Sequence, residues 1–339
     1  IKSSQTATGN EPKKTQTGLQ IAKNTFTFLD KTVKPEGGFW FGFECNNKFE
    51  IVCRASDTYR AGHASYTPSP HFGHLTLSFY DYGKKTGDKI YTDKADSAMA
   101  FILSNCNQDL SWCIWNFSPL IAYYNDTKDE RYKNAMLKAS DEIIREKTPL
   151  EHLSLNSGLK LKALYDITKD DRYLTSLINL ADAIMAGEVD KDDLNPKLYS
   201  DGDFTVRTQT FKSIWSTILP AYAATKDPKY LGFINDSLKK ANVTAHFGKF
   251  QTSEELQHLI FALYSYLQLM NLDAASKDAH HQMAHDLAQH IYSTFADTRD
   301  NKKFNGDFGI VENGVKDSLN NGWLVRHFVK LSDDTFTIN

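Results

Sequence analysis

Thr86-Gly-Asp88-Lys-Ile-Tyr91, Thr127-Lys-Asp129-Glu-Arg-Tyr132, Thr168-Lys-Asp170-Asp-Arg-Tyr173 and Thr225-Lys-Asp227-Pro-Lys-Tyr230 repeat one phrase. Each ends one apolar-periodic stretch and starts the next, so each predicts a tight corner between two helices. The Asp stands where an N-cap belongs, its carboxylate accepting from free amides of the next helix's first turn. Pro228, one residue after Asp227, supports this, because proline favours the first helical position. The first two intervals between the Tyr positions are equal and the third is longer. Such regularity predicts a chain built from stacked helical hairpins.

Working outward, helical periodicity is expected from Gly18 to before Pro35, and again from about His71 to the first corner. It then recurs over approximately 88–105, 112–126, 129–147, 152–167, 170–187, 207–224, 228–243, 252–271, 274–296 and 318–331. That gives about twelve helices, or six hairpins. Tight Thr-x-Asp turns occupy one end of the bundle. Tyr124, Tyr165 and Tyr222, three residues before each Thr, are expected to pack on the Tyr that follows the turn. At the other end the connections are long, about 34–70, 105–112, 187–206, 244–251 and 297–317. Long irregular connections in compact domains are usually functional, so that rim is where the work is expected. Residues 1–17 read as a polar tether and 18–339 as one domain.

The chain is 41% hydrophobic with a net charge of −3, ordinary for a globular protein. This balance gives no electrostatic case for nucleic acid or an anionic membrane surface. No apolar stretch is long enough to span a bilayer. No signal peptide stands at the start, and the expectation is that such a segment has been removed. Four cysteines form two local pairs, Cys45/Cys53 and Cys106/Cys113, and predict two short disulfide-closed loops in a secreted or periplasmic protein. Zinc and reduced thiols are the alternatives, though neither spacing fits common zinc motifs. Asn-x-Ser/Thr triplets occur at Asn116, Asn125, Asn235 and Asn242.

The densest polar segment runs from Arg54 to His74 and contains Asp57, Arg60, His63, Tyr66 and His71. Carboxylates suit acid–base work on a sugar, while Arg and His suit its hydroxyls or a uronate carboxylate. Ahead of it, Gly37-Gly-Phe39-Trp40-Phe41-Gly42-Phe43 offers aromatic faces. Two readings stand for these rings, stacking on pyranose rings or sealing the end of the bundle. Asp201-Gly-Asp203 lies in the expanded loop before Arg207 and Gln209. This is turn chemistry, yet paired carboxylates coincide there with loop expansion. Glu254 reads first as a helix-dipole acid and second as a rim group. His280, His281, His285 and His290 read as a solvated outer face. No Walker A, GxGxxG, GxSxG or zinc-ligand spacing is present, and no cofactor or metal is expected. The acidic 190–203 loop lacks EF-hand spacing.

Hairpin number, Thr-x-Asp corners and loop asymmetry together resemble the six-hairpin (α/α)6 toroid of many glycoside hydrolases, polysaccharide lyases and sugar epimerases. The resemblance covers Gly18 to about Leu331. It implies an all-α toroid in which the helix entering each tight turn is inner and the active site lies at the long-loop rim. His74, Trp115, Asn156, Gln209, Glu254 and Asn321 would then surround one cleft, with Trp323 close by. The implied activity is that of a monomer-sized glycoside hydrolase on an oligo- or polysaccharide. Asp57 with Asp201 or Asp203 would be the acid/base pair, and Trp40, Arg60, His63, Tyr66, His71, Trp115 and Arg207 would position sugar. A lyase using Tyr66 or His71 as base on a uronate-containing glycan is the second enzyme reading. A secreted, non-enzymatic binding or effector protein is the third.

Overall fold

The computed structural model describes residues 16–34, 39, 42–45, 53–56, 70–145, 157–186, 211–247, 253–296, 315–317, 319–332 and 337–338. All four Thr-x-Asp phrases form the same corner. The hydroxyls of Thr86, Thr127, Thr168 and Thr225 each donate to a carbonyl one turn back and accept the amide of the corner Asp. The middle residue is left-handed, with φ of 72° at Gly87, 56° at Lys128, 60° at Lys169 and 59° at Lys226. That reversal closes the helix with an amide-to-carbonyl bond of 2.8 Å at every corner. The carboxylates of Asp88, Asp129, Asp170 and Asp227 then accept the amide two residues on, at 2.9–3.1 Å. Four hydrogen bonds are thus made at every corner.

The corner lysines explain themselves differently from the expected Tyr–Tyr packing. Lys128, Lys169 and Lys226 extend over the rings of Tyr124, Tyr165 and Tyr222 at 5.3–5.4 Å. The Tyr following the second corner, Tyr132, packs instead on Tyr123 at 5.4 Å. Each cation–π contact offsets part of the cost of holding a side chain at positive φ.

In chain order the helices are α1 (Gly18–Leu29), α2 (Pro70–Thr86), α3 (Lys89–Gln108), a short α4 (Ser111–Trp115), α5 (Phe117–Thr127) and α6 (Glu130–Arg145). There follow α7 (Ser157–Thr168), α8 (Asp171–Ala186), α9 (211–225, π-helical over Ile214–Ile218), α10 (Pro228–Ala241), α11 (Ser253–Leu272), α12 (Lys277–Phe295) and α13 (Leu319–Leu331). Helices α2, α5, α7, α9, α11 and α13 contact one another in succession, and α13 returns to α2. This is the inner ring of an (α/α)6 toroid. Each inner helix pairs with an outer one, α2 with α3 through to α13 with α1. The stretch expected as one helix over 112–126 is two. Pro119 has no amide to donate, and the Asn116 side chain bonds back to the Trp112 carbonyl, so the chain restarts at Phe117.

Ring closure joins residues far apart in sequence. The Arg326 guanidinium reaches Asp81 at 2.9 Å, and the Ser78 hydroxyl donates to the Gly322 carbonyl at 2.7 Å. Gly18 sits so close to α13 that a Cβ there would lie 2.3 Å from the Phe328 carbonyl oxygen. Large side chains including Phe26, Phe28, Phe79, Phe117, Phe211, Tyr230 and Phe328 are fully buried between the rings. Each contributes about 1.5–3 kcal/mol of burial.

Two small sheets supplement the helices. β1 (Gln16–Thr17), the last two residues of the expected tether, pairs antiparallel with Thr337–Ile338. In the other sheet β2 (Gly42–Cys45) lies between β3 (Cys53–Ser56) and β4 (Val315–Asp317). The two long connections expected to be irregular, 34–70 and 297–317, are therefore joined by backbone hydrogen bonds just ahead of α2 and α13.

The fifth corner differs from the rest. Asp273 and His280 form a buried pair at 3.1 Å, so His280 does not belong to a solvated face. Burial opposes ionisation of Asp273, but bonds from His280 and Ser276 outweigh it and hold its carboxyl below the usual range. His290, expected on the same solvated face, is stacked on Phe247 at 4.0 Å. The tight corners should be structural. Asp227→Ala is expected to cost about 0.5–2 kcal/mol by denaturant titration while leaving ligand affinity unchanged.

Candidate functional site at the long-loop rim

Tight corners close one end of the ring, and the long connections lead into the inner helices at the other. The inner helices begin there, and their first two turns line the centre. His74, Trp323 and Trp215 are each the fifth described residue of their helices, about 6 Å below the helix starts at 1.5 Å per residue. His74 stacks on Trp323 at 3.8 Å, and Trp323 meets Trp215 edge-on at 5.4 Å. Helix α11 stands between α9 and α13, so this second contact crosses the middle of the ring. Phe261 and Tyr264 of α11 pack against both indoles at 5.2–6.1 Å. The toroid is therefore closed beneath its rim by an aromatic floor.

Polar groups are built into that floor. Lys160, on the first turn of α7, is only 4% exposed, with its ammonium 5.9 Å from the Trp115 ring centre. His258 of α11 is buried edge-on to Phe211 at 4.9 Å. The Trp215 indole N–H and the Asn116 amide oxygen have no hydrogen-bond partner among the described residues. The Asn116 oxygen comes within 3.1 Å of where a Cβ on Gly73 would stand, so the glycine lets α2 and α5 meet there. Being buried and engaged with the Trp112 carbonyl, Asn116 is a poor glycan acceptor, whatever its triplet suggests.

His327, one turn beyond Trp323, is fully buried beside Tyr264 at 5.4 Å. Burial, with Lys330 and Arg326 nearby, depresses its pKa well below the ordinary value. The folded protein thus binds fewer protons here than the unfolded chain once pH drops below about 6.5. Stability from this neutral imidazole is fully present above that pH and should fall as the medium is acidified. Thermal melts from pH 7.5 to 5 should show the decline, and His327→Leu should flatten it.

Of the residues expected at the site, His74 and Trp323 stack on each other, and Trp115 ends α4. His74 and Trp323 are buried parts of the floor, and Trp115 is half-buried above Lys160. His71 and Glu254 are the second residues of α2 and α11, which sets their backbones at the rim. Trp40, Asp57, Arg60, His63, Tyr66, Asn156, Asp201, Asp203, Arg207 and Gln209 lie outside the described residues. Phe39 resolves one choice within the aromatic run. It is fully buried against Phe79 at 5.6 Å and Phe72 at 6.1 Å, so this ring seals the bundle. Sequence reasoning missed Lys160 and Trp215. The signal for Trp215 was its register, the same step into an inner helix as His74 and Trp323.

The cysteines meet as expected in position, but the expected Cys106–Cys113 bond is not formed. Both are buried free thiols, and a hydrogen bond between them pushes Cys106 up in pKa and Cys113 down. The bend at Leu110, with Asp109 capping Ser111, brings α4 back against α3 and so puts the two thiols in contact. Cys45 and Cys53 are directly opposed in the β2–β3 register.

Two cavities lined by described residues lie away from the rim. One of about 750 Å³ separates α3 from α6, and an open groove of about 400 Å³ runs between α2 and α13. In the first, the charged groups serve one another: Arg131 with Asp129, Asp96 with Tyr123, Lys138 with Asn107. Size alone does not make it a site. No helix among the described residues is long and apolar enough to cross a membrane.

No family model matches the chain, and no curated protein matches it in sequence. Solved structures do match it. An inactive aspartate-to-asparagine variant of the alpha-1,6-mannanase GH76A of Salegentibacter sp. HEL1_6, in complex with alpha-1,6-mannotriose, aligns with a TM-score of 0.63 at 14% identity. The match covers 93% of this chain and 99% of that one. An unsaturated glucuronyl hydrolase mutant from Streptococcus agalactiae aligns with a TM-score of 0.66 at 12% identity, over 94% of this chain and 90% of its own. A second mutant of that enzyme, complexed with dGlcA-GalNAc6S, aligns with a TM-score of 0.63 at 12% identity, covering 94% and 91%. At such identities the likeness establishes architecture: the chain has the (α/α)6 toroid fold from its first helix to its last.

Proposed function

We propose that this protein is a glycoside hydrolase acting on an oligo- or polysaccharide held at the long-loop rim. One observation carries the reading: the toroid matches, almost end to end, two enzymes whose names describe sugar cleavage, one of them with a mannotriose bound. The Salegentibacter variant is inactive with two aspartates replaced, which supports carboxylate chemistry in a toroid of this kind. Here one carboxylic acid would protonate the leaving glycosidic oxygen while a carboxylate activates water or attacks the anomeric carbon. Asp57 is the first candidate, because it directly follows β3, a strand joined through β2 to β4 ahead of α13. Asp201 or Asp203 is its expected counterpart. Trp115 offers an aromatic face at the rim, and Arg60, His63 and Arg207 suit hydroxyl binding.

A glycan panel tests this. New reducing ends without a rise in ultraviolet absorbance are expected; unsaturated products would mean a lyase with Tyr66 or His71 as base. No cleavage of any glycan, with tight capture of a protein partner, would favour the binding reading.

Export fits the two cysteine pairs. In an oxidising compartment the opposed Cys45 and Cys53, and the touching Cys106 and Cys113, are each placed to bridge. Non-reducing peptide mapping of protein exported to a bacterial periplasm should recover those two local pairs. Crosswise pairing, or four free thiols, would defeat the assignment.

A further inference from the structure

The α3–α6 cavity has a thiol in its wall. Cys106, on the last turn of α3, is among the residues lining this space of about 750 Å³, a volume that takes a small molecule. Its hydrogen-bond partner Cys113, on α4, is fully buried and does not line the cavity. One member of the pair thus opens on the cavity and the other is shielded by the fold. Lys138, another lining residue, favours a thiolate here, and the Asp109 carboxylate opposes it. When the pair loses one proton, the other is shared across the contact, so either sulfur can carry the charge. Helix α4 itself is five residues long and is held between α3, α5 and α6. Trp112 on that helix packs against Phe72 at 5.1 Å and edge-on to Phe101 at 5.4 Å, and Trp115 ends it half-buried. A covalent tie at Cys113 would fix all of α4, Trp115 included, to the outer helix α3.

We propose that Cys106 is a thiol–disulfide exchange site reached through the α3–α6 cavity, that Cys113 resolves it, and that closing their bond pins α4. The co-reactant is a low-molecular-weight peptide disulfide of the glutathione type. Ser104, Asn107 and Asn134 line the same space and suit the amide groups of such a peptide. The Cys106 thiol releases its proton to solvent, and the thiolate attacks one sulfur of the disulfide. That S–S bond breaks, a mixed disulfide forms on Cys106, and one glutathione leaves as thiolate. Cys113 then gives up its proton and attacks the Cys106 sulfur, forming the Cys106–Cys113 bond and expelling the second glutathione. Two protein thiols are oxidised and one disulfide is reduced to two thiols; excess reduced glutathione runs the sequence backwards. Trp115 is the ring offered to sugar in the proposed function, and only this consequence for the rim rests on the carbohydrate reading.

Oxidised glutathione is the probe, added to the reduced, folded protein and followed by intact mass and chymotryptic mapping. Cys106 should become joined to Cys113 through a transient adduct of one glutathione. Cys113→Ser should stop at that adduct, held stably on Cys106, and Cys113→Ala repeats the trap without a hydroxyl in the core. Cys106→Ser should leave Cys113 unmodified. Ser104→Phe, at an exposed position in the cavity wall, should slow bridging at least about tenfold without lowering the thermal midpoint. Backbone amides over 110–116 should exchange hydrogen at least about tenfold more slowly in the bridged protein than in the reduced one. Glutathione trapped on Cys113 in preference to Cys106, or bridging undiminished in Ser104→Phe, overturns the entry route. Unchanged exchange over 110–116 overturns the pinning of α4, and neither adduct nor bridge in the folded protein overturns the whole. None of these measurements needs a sugar, so the glycoside hydrolase proposal stands or falls separately on its glycan panel.

Discussion

Gly158→Ala is expected to lower the stability of the toroid by about 3 kcal/mol, the largest loss from adding a single methyl group at the rim. A Cβ at Gly158 would stand 2.5 Å from the Ser216 carbonyl oxygen and 2.6 Å from the Thr217 Cα. Both are backbone atoms, so no rotamer change relieves the clash, and α7 must move away from α9. Alanine's better helix propensity returns only about 1 kcal/mol. The contact falls on the π-helical turn, so the displacement also shifts Trp215 out of register with Trp323. A drop in thermal midpoint with an altered indole emission spectrum is the expected result. Gly232→Ala is the control, because nothing lies within 4 Å of its would-be Cβ. Equal stability of the two variants would mean that α7 and α9 are not in this close contact.

Gly158 also illustrates what could and could not be read from the chain. The corners were legible because each is local: Thr, a left-handed residue and Asp satisfy one another within a few positions, and repetition multiplies the signal. From the corners followed the hairpins, their number and the asymmetry of the two ends. Closeness between α7 and α9 depends on residues almost sixty positions apart, and a lone glycine near a helix start says nothing of its partner. The π turn at Ile214–Ile218 was hidden for a similar reason, since its apolar spacing reads as an ordinary helix. The rim strands escaped because β2 finds one partner in the nearby 53–56 segment and the other in 315–317. His280 was misread because its partner Asp273 lies in the one inner-to-outer turn lacking the Thr-x-Asp phrase. At the site, residue type pointed to the rim, but burial decided roles: His74 and Trp323 are floor, and Phe39 is core. Lys160 was passed over because a lysine in an amphipathic helix ordinarily faces water.

Asp57→Asn should reduce glycan cleavage by about 10²–10⁴-fold while leaving the thermal midpoint nearly unchanged. The amide preserves size and most hydrogen bonding but can neither hold nor take a proton at physiological pH, so the loss belongs in kcat more than in KM. Asp201→Asn and Asp203→Asn then separate the partner carboxylate, since only the one that works with Asp57 should give a comparable loss. The double variant with Asp57 should be scarcely worse than either single one, because two groups acting in one proton-transfer sequence are not additive. Described side chains on the inner helices supply no carboxylate to the rim, which sharpens the expectation that the acids descend from the connections or from Glu254. If Asp57→Asn keeps full activity and Glu254→Gln loses it, the acid stands on α11 instead. If Tyr66→Phe or His71→Gln abolishes turnover and the aspartate variants do not, the reaction is elimination beside a uronate.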